Sequence, residues 1–129
     1  MNRTIAVFKA LSDRNRFRVT LALLKFGELC ACQITEFLQV AGATASRHMS
    51  LLISCGLVTG RKEGRWVYYR LVRDKPSFNV LIGWIEHQLA ELPEAIEDLN
   101  KLEAILACEP EDLCRKQHGV TCCLKKELN

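Results

Sequence analysis

The apolar pattern of this chain changes its period at Gly56, and this change is what most constrains the fold. Before Gly56, apolar residues recur at helical spacing over several segments. After it, Leu57–Val58 and Trp66–Val72 are rich in β-branched and aromatic residues, and a glycine turn in "KEGR" joins them. A mainly α-helical chain with one β-hairpin is therefore predicted.

Helix boundaries follow from the same spacing and from local start and stop residues. Before the hairpin, helices are predicted over Thr4–Leu11, Asp13–Phe26, Ala31–Leu38 and within "ATASRHMSLLISCG". For the second helix, Asp13 is a suitable N-cap and Gly27 a suitable C-terminal residue. Pro76 begins a fifth helix, and Pro93 either starts a further helix or kinks the fifth.

The length of the chain sets the number of domains. With 129 residues, 49% of them hydrophobic, it is long enough for one compact core but hardly for two. We assign the folded unit to residues 1–107. Residues 108–129 lose the helical periodicity and hold four of the seven cysteines, so we expect a cysteine-rich, mobile C-terminal tail there.

Charge and cysteine content narrow the class of protein. The N-terminus lacks the features of a secretory signal and no apolar run is long enough to span a membrane, so we expect a cytoplasmic protein with no membrane partner. Because the cytosol keeps thiols reduced and the number of cysteines is odd, metal or thiol chemistry is expected rather than a disulfide framework. No nucleophile and base set, phosphate loop or paired catalytic carboxylates are found, so an enzyme is not expected.

The order of the elements indicates a winged helix-turn-helix. In that fold, the second helix of the motif enters the major groove and the hairpin contacts the DNA backbone or minor groove. The net charge of +3 is only mildly basic, so the position of the charges matters more than their sum. The predicted DNA contacts are Thr44, Ser46, Arg47, His48, Ser50, Arg61, Lys62 and Arg65. The alternative is a solvated helix face and a hairpin that its charges keep soluble.

Cys30 and Cys32 are separated by one residue at the predicted start of the third helix. In a regular helix, residues at this spacing point roughly 200° apart, whereas in an extended segment they share a face. Binding one soft ion through both sulfurs is therefore expected to require a non-helical segment at residues 30 to 32. A ligand that unwinds the first turn of this helix would displace the recognition helix and weaken DNA binding. The alternative is a pair of small buried residues.

Three segments together, "GELCACQITEFL", "SRHMSLLISCGLV" and "RKEGRWVYYRL", resemble the ArsR/SmtB family of metal-responsive repressors, and in particular its arsenic branch. The resemblance covers about residues 5 to 72. It implies a homodimer joined by its first and fifth helices, bound to an inverted-repeat operator and released by a metal or metalloid. The chain departs from the family at the start of the recognition helix, where Ala41, Gly42, Ala43 and Thr44 stand in place of a Ser-Gln-Pro-Lys-like sequence. The operator sequence is therefore not predicted.

The resemblance also implies a three-sulfur site for As(III) or Sb(III) as inducer. The family pattern is Cys-x-Cys-x-x-Cys, and its third position is Thr35 here. The third sulfur is expected from the C-terminal region, with Cys122 and Cys123 as first candidates and Cys108 and Cys114 behind them. The cadmium and lead branch adds cysteines from an N-terminal arm, and this chain has none before Cys30.

Other candidate ligands are weaker. Cys55 lies at the apolar end of the recognition helix and is expected to be a buried structural thiol. His87 with Glu86 or Glu91 is a poor match to the interfacial zinc site of other family members, because no second histidine lies on that helix.

The sequence thus predicts an arsenite- or antimonite-responsive transcriptional repressor that binds operator DNA as a homodimer. Two alternatives share this fold: a thiol-redox or persulfide sensor, and a cadmium- or lead-responsive repressor. From a different class, a cytosolic metal-binding chaperone would explain the cysteines but not the basic hairpin.

Overall fold

A computed structural model describes residues 1–117, and in this range the chain forms seven helices and three strands. The elements are α1 (Asn2–Leu11), α2 (Arg14–Phe26), β1 (Glu28–Cys30), α3 (Ala31–Leu38), α4 (Gly42–Ser54), β2 (Val58–Glu63), β3 (Trp66–Leu71), α5 (Pro76–Leu89), α6 (Pro93–Leu106) and α7 (Pro110–Gln117). None of these helices is both long enough and apolar enough to cross a membrane. The predicted mainly helical, winged helix-turn-helix architecture is confirmed.

The helix ends follow from local chemistry. The Asp13 carboxylate caps α2 by accepting a hydrogen bond of 3.0 Å from the Arg16 backbone N–H. Gly27 ends α2 at a φ of +84°, a conformation that a residue with a Cβ rarely adopts. Pro93 lies at the start of α6, so it begins a separate helix and does not kink α5.

The hairpin of β2 and β3, called the wing from here on, is confirmed, and it belongs to a three-stranded sheet of order β1-β3-β2. Strand β1 was not predicted, because a strand of three residues is too short to show a periodic pattern. Its antiparallel register places Cys30 opposite Tyr68 and Glu28 opposite Arg70. The sheet therefore joins the start of α3 directly to the wing.

The hydrophobic core lies where the helix-turn-helix meets α2, α6 and the sheet. Val19, Ile34 and Leu52 have no solvent exposure there. Beside this core, Arg18 of α2 donates to both carboxylate oxygens of Asp98 on α6, at 2.7 and 3.1 Å. These contacts hold the C-terminal helices against the helices that position α4.

Helix α7 lies within residues 108–129, the segment that the sequence assigns to the C-terminal tail. Pro110 begins this helix, Glu111 and Asp112 lie in its first turn, and Leu113 is 1% exposed. The single buried leucine leaves no periodic pattern in the sequence, so contacts with α3 decide that the segment is ordered. Cys122 and Cys123 lie outside the described residues.

Helices α1 and α5 expose a set of large apolar side chains. These are Ile5 and Phe8 on α1, and Val80 and Trp84 on α5. Exposed side chains of this size on two helices are typical of a surface that contacts another protein. The resemblance to the family implies dimerisation through the same two helices.

Candidate metal centre and nucleic-acid interface

Helix α4 buries one side and exposes the other. Ala45, Met49 and Leu52 are buried against the core. The exposed side carries four of the predicted DNA contacts, Thr44, Ser46, Arg47 and Ser50. The helix begins at Ala41 without a side-chain cap, so its first turn lacks the hydroxyl that the family pattern supplies at this place.

His48 differs from its neighbours on α4, because it packs between two helices. Its side chain is 14% exposed, and its Nδ1 atom lies 3.9 Å from the Asp13 carboxylate. Arg16 on α2 donates to the same Nδ1 atom at 3.1 Å. The structure therefore places His48 where it holds α4 against α2.

The wing carries the other three predicted DNA contacts, Arg61, Lys62 and Arg65, and all are exposed. Arg61 donates to both carboxylate oxygens of Glu28 at 2.8 and 3.1 Å and also to Glu63. The hydrogen bonds from Arg61 lower the pKa of Glu28 below its ordinary value. Two of the three basic side chains thus have an acidic partner, since Arg65 lies 3.8 Å from Glu111 on α7.

The sulfur atoms of Cys30 and Cys32, called the thiol pair from here on, lie 2.8 Å apart. Cys30 is the extended N-cap residue of α3, with φ of −85° and ψ of 160°, and Cys32 lies in the first helical turn. The two sulfurs converge because the chain changes from extended to helical conformation between them. Residue 30 is extended, as the sequence predicts, but Cys32 stays within the first helical turn, so the two sulfurs converge without unwinding of α3.

Hydrogen bonding makes the two thiols unequal. The Cys32 thiol donates to the Cys30 sulfur and lowers the pKa of Cys30 to about 6, and backbone N–H groups at the start of α3 act in the same direction. The same hydrogen bond raises the pKa of Cys32, and burial adds to that effect. At neutral pH the pair therefore holds one thiolate and one thiol.

The thiol pair is buried under α7 and the wing. Leu113 packs directly on the two cysteines, with Trp66 and Tyr68 of β3 at the edge of the cluster. The Cys32 sulfur also lies 3.5 Å from the Pro110 carbonyl oxygen. Gln117 donates to the Cys32 carbonyl oxygen at 2.8 Å.

The other candidate ligands fall into two groups. Cys108 packs against the cluster around the thiol pair. Cys114 on α7 is a free thiol that lies close enough to Cys32 to interact with it electrostatically. Cys55 is buried elsewhere, with its sulfur 3.3 Å from the Leu52 carbonyl oxygen. Among residues 1–117, no group of three His, Cys, Asp or Glu side chains is arranged to hold a metal ion. The chemistry of the thiol pair suits a soft ion.

Two acidic residues that lie near these sites, Glu28 and Glu111, were not identified as site residues from the sequence. Each pairs with an arginine of the wing from a distant point in the chain. Glu28 immediately precedes the buried residues of β1, so a prediction of that strand would have placed it beside the wing. No local signal marks Glu111.

Comparison with protein families gives one match, to the family described as "Bacterial regulatory protein, arsR family", over residues 13–59. The arsenic resistance transcriptional regulator ArsR1 of Pseudomonas putida is 34% identical, over 90% of this chain and 84% of its own length. The arsenical resistance operon repressor of Escherichia coli is 40% identical over 57% of this chain and 63% of its own. A Staphylococcus aureus homologue of the cadmium resistance regulatory protein CadC is 46% identical over 50% of this chain and 54% of its own.

Solved structures show the same fold. HlyU from Vibrio cholerae superposes with a TM-score of 0.60 at 24% identity, covering 69% of this chain and 94% of that one. A homodimeric winged helix-turn-helix DNA-binding domain from Mycobacterium bovis, a possible ArsR-family regulator, superposes with a TM-score of 0.57. It is 30% identical and covers 70% of this chain and 81% of its own.

Proposed function

We propose that this chain, which belongs to the arsR family of bacterial transcriptional regulators, is a repressor that arsenite or antimonite releases from operator DNA. The observation that supports the metalloid as inducer is the 2.8 Å approach of the Cys30 and Cys32 sulfurs at the start of α3. This helix is the first of the helix-turn-helix. A ligand on the thiol pair therefore acts next to the element that positions α4.

The third sulfur comes from the C-terminal region. Cys122 and Cys123 are the first candidates, and Cys114, a free thiol, is the alternative. Cys108 ranks behind it, because it is disulfide-bonded in the structure and has to be reduced before it can bind a metalloid. The hydrogen bond from Gln117 to the Cys32 carbonyl supports this order, because Cys122 follows shortly after Gln117 in the chain.

The DNA-binding surface comprises the exposed side of α4 and the wing. Thr44, Ser46, Arg47, Ser50, Arg61, Lys62 and Arg65 contact DNA, and His48 sets the position of α4 through Arg16. A homodimer joined through α1 and α5 presents two such surfaces to an inverted repeat. The two half-sites of that inverted repeat lie about 34 Å, or a small multiple of that distance, apart.

Release follows from linkage between the two sites. A metalloid that binds the DNA-incompetent state more tightly shifts the population toward that state, and DNA weakens metalloid binding by the same factor. A change from mostly bound to mostly free requires about 5.5 kcal/mol of differential binding, which several metal-thiolate bonds can supply. Because Cys30 pairs with Tyr68 of β3, movement at the thiol pair reaches the wing through the sheet.

The test begins with selection of an operator from a random-sequence duplex pool. The complex is then titrated separately with arsenite, cadmium and peroxide, using the wild type, Cys30→Ser and Cys32→Ser. We expect release by arsenite in the wild type, none in either serine variant, and unchanged release in the Cys55→Ser control. Release of both serine variants by arsenite contradicts the proposal.

A thiol-redox repressor is the second candidate, and the lowered pKa of Cys30 favours it, because a thiolate is the reactive form. In that case the thiolate and the thiol give two electrons to a peroxide, and a disulfide forms between Cys30 and Cys32. The O–O bond breaks, and the thiol proton together with one proton from solvent converts hydrogen peroxide into two water molecules. Release by peroxide without arsenite supports this candidate. Release by cadmium alone supports the cadmium alternative, and metal binding without any duplex binding supports the chaperone.

A further inference from the structure

Helix α7 contacts both the thiol pair and the wing. On one side, the Pro110 carbonyl and Leu113 cover the pair, and the Gln117 amide holds the backbone of Cys32. On the other side, Glu111 lies 3.8 Å from Arg65 at the wing. One short helix therefore joins the two sites that the function has to couple.

We propose that α7 is a lid that, when closed over the thiol pair, also withdraws Arg65 from DNA through Glu111. This inference rests on the proposed function, since it assigns the element through which the effector site acts on the DNA-binding surface. The closed state is the one that the structure shows. In the open state, α7 leaves α3, the thiols become accessible and Arg65 is available to a DNA phosphate.

Burial requires the lid to open before a ligand enters. Cys30 is 1% exposed and Cys32 is 7% exposed, while Leu113, which covers them, is 1% exposed. A soft ion or a thiol reagent therefore needs a side chain that covers the pair to move, and Leu113 is the most deeply buried of them. After entry, the sulfur of Cys114 on α7 ties the lid to the bound ion.

Competition for Arg65 connects the lid to DNA. A guanidinium that pairs with a carboxylate is less available to a phosphate, and binding to one excludes the other. Both side chains are well exposed, so the effect of this pair on DNA affinity is small, about 1.5- to 5-fold. Closure favoured by the metalloid therefore lowers DNA affinity, and DNA binding favours the open lid.

The first test is a double-mutant cycle without any metalloid. Arg65→Gln, Glu111→Gln and the double variant are compared in binding a labelled mixed-sequence duplex of about 30 base pairs at low salt. We expect Glu111→Gln to bind more tightly than the wild type by about 1.5- to 5-fold and to have no effect in the Arg65→Gln background. Asp112→Asn is the control, because it makes the same charge change on the same helix.

Two outcomes overturn the link to the wing. One is an equal effect of Glu111→Gln and Asp112→Asn, and the other is an effect of Glu111→Gln that persists without Arg65. The double-mutant cycle contains no arsenite, so a result that contradicts the coupling of Glu111 and Arg65 does not contradict the proposal that arsenite releases the protein from its operator. Conversely, a protein that arsenite does not release from its operator would contradict the proposed function and not this coupling.

The second test measures access to the thiol pair. Labelling by N-ethylmaleimide is followed by mass spectrometry at Cys30, with Cys55 in the same protein as the internal control. We expect Leu113→Ala to label at Cys30 about tenfold faster, with no change at Cys55. If the labelling rates at Cys30 and Cys55 rise together, Leu113→Ala has loosened the whole fold. Gln117→Ala is then the deciding variant, because it removes one hydrogen bond of the lid and leaves Leu113 in place. No increase at Cys30 in that variant overturns the lid.

Discussion

Arg61 on the wing and Glu28 on β1 form a two-pronged ion pair, with nitrogen to oxygen distances of 2.8 and 3.1 Å. Glu28 belongs to the same three-residue strand as Cys30, so this ion pair links the wing to the strand that carries the thiol pair. Arg61 also lies over the ring of Tyr68, the residue opposite Cys30 in the sheet. The wing and the thiol pair therefore share a structural unit.

Removing the charge of Glu28 should increase the affinity for DNA. Glu28→Gln removes one of the two carboxylates that pair with Arg61, Glu63 being the other, so the guanidinium becomes more available to a phosphate. We expect about two- to fivefold tighter binding to a mixed-sequence duplex. Fluorescence anisotropy over a range of salt concentrations measures the change. Glu103→Gln on α6 is the control for net charge, and an equal gain in that variant would show that the ion pair has no specific effect.

Removing the Cys32 donor should raise the pKa of Cys30. In the wild type, the first thiol proton is lost at about pH 6, so one thiolate is present at pH 7. In Cys32→Ala the thiol that donates to the Cys30 sulfur is gone, and burial still disfavours the negative charge of Cys30. The pKa of Cys30 should therefore move toward or above its ordinary value of 9.0. Thiolate ultraviolet absorbance follows the titration, with Cys55→Ala as the control. A midpoint that stays near 6 in Cys32→Ala would contradict the hydrogen-bond cause.

Breaking the Arg18 and Asp98 ion pair should destabilise the fold. Their side chains are 21% and 18% exposed, so solvent screens the pair only partly. We expect Asp98→Asn to lower the free energy of unfolding by about 1 to 3 kcal/mol, measured by urea denaturation. The exposed pair of Glu97 and Lys101 supplies the control, and Glu97→Gln should change stability by no more than about 0.5 kcal/mol. Equal effects of the two variants would show that burial of the Asp98 pair is unimportant.

A charge on the exposed apolar side of α5 should prevent dimerisation. Trp84 is 59% exposed next to Val80, and we expect Trp84→Glu to weaken the dimer by at least about 30-fold, because large aromatic residues dominate such interfaces. Sedimentation velocity measures the change. Ile96→Glu on α6 places the same charge on an exposed isoleucine outside this surface and should leave the dimer intact. Loss of the dimer in Ile96→Glu alone would locate the interface on α6.

Much of the fold was predictable because its signals are local. The Asp13 cap, the Gly27 terminus and the bounds of α3 depend on residues close in sequence, and they agree with the structure. Strand β1 was not predictable, because its pairing with β3 joins residues far apart in the chain. The same holds for α7, which is ordered by its contacts with α3.

The candidate site divides in the same way. The spacing of Cys30 and Cys32 identified them as a pair, but their geometry depends on where the extended chain becomes a helix. Likewise, composition showed that the wing is basic, while only the packed structure shows that Glu28 and Glu111 neutralise two of its arginines. From the sequence, His48 belongs to the exposed polar side of α4. In the structure it is hydrogen-bonded to Arg16 and packs between α4 and α2.

By itself, the sequence determined the order of helices and hairpin, the polar side of the helix that we propose to read DNA, and the presence of two neighbouring thiols, because periodicity, caps and turns act over a few residues. Only the tertiary structure decided that the thiols converge without unwinding α3, that α7 covers them, and that the wing arginines have acidic partners. Those features are contacts between segments far apart in the chain, and their energies arise only when packing brings the segments together.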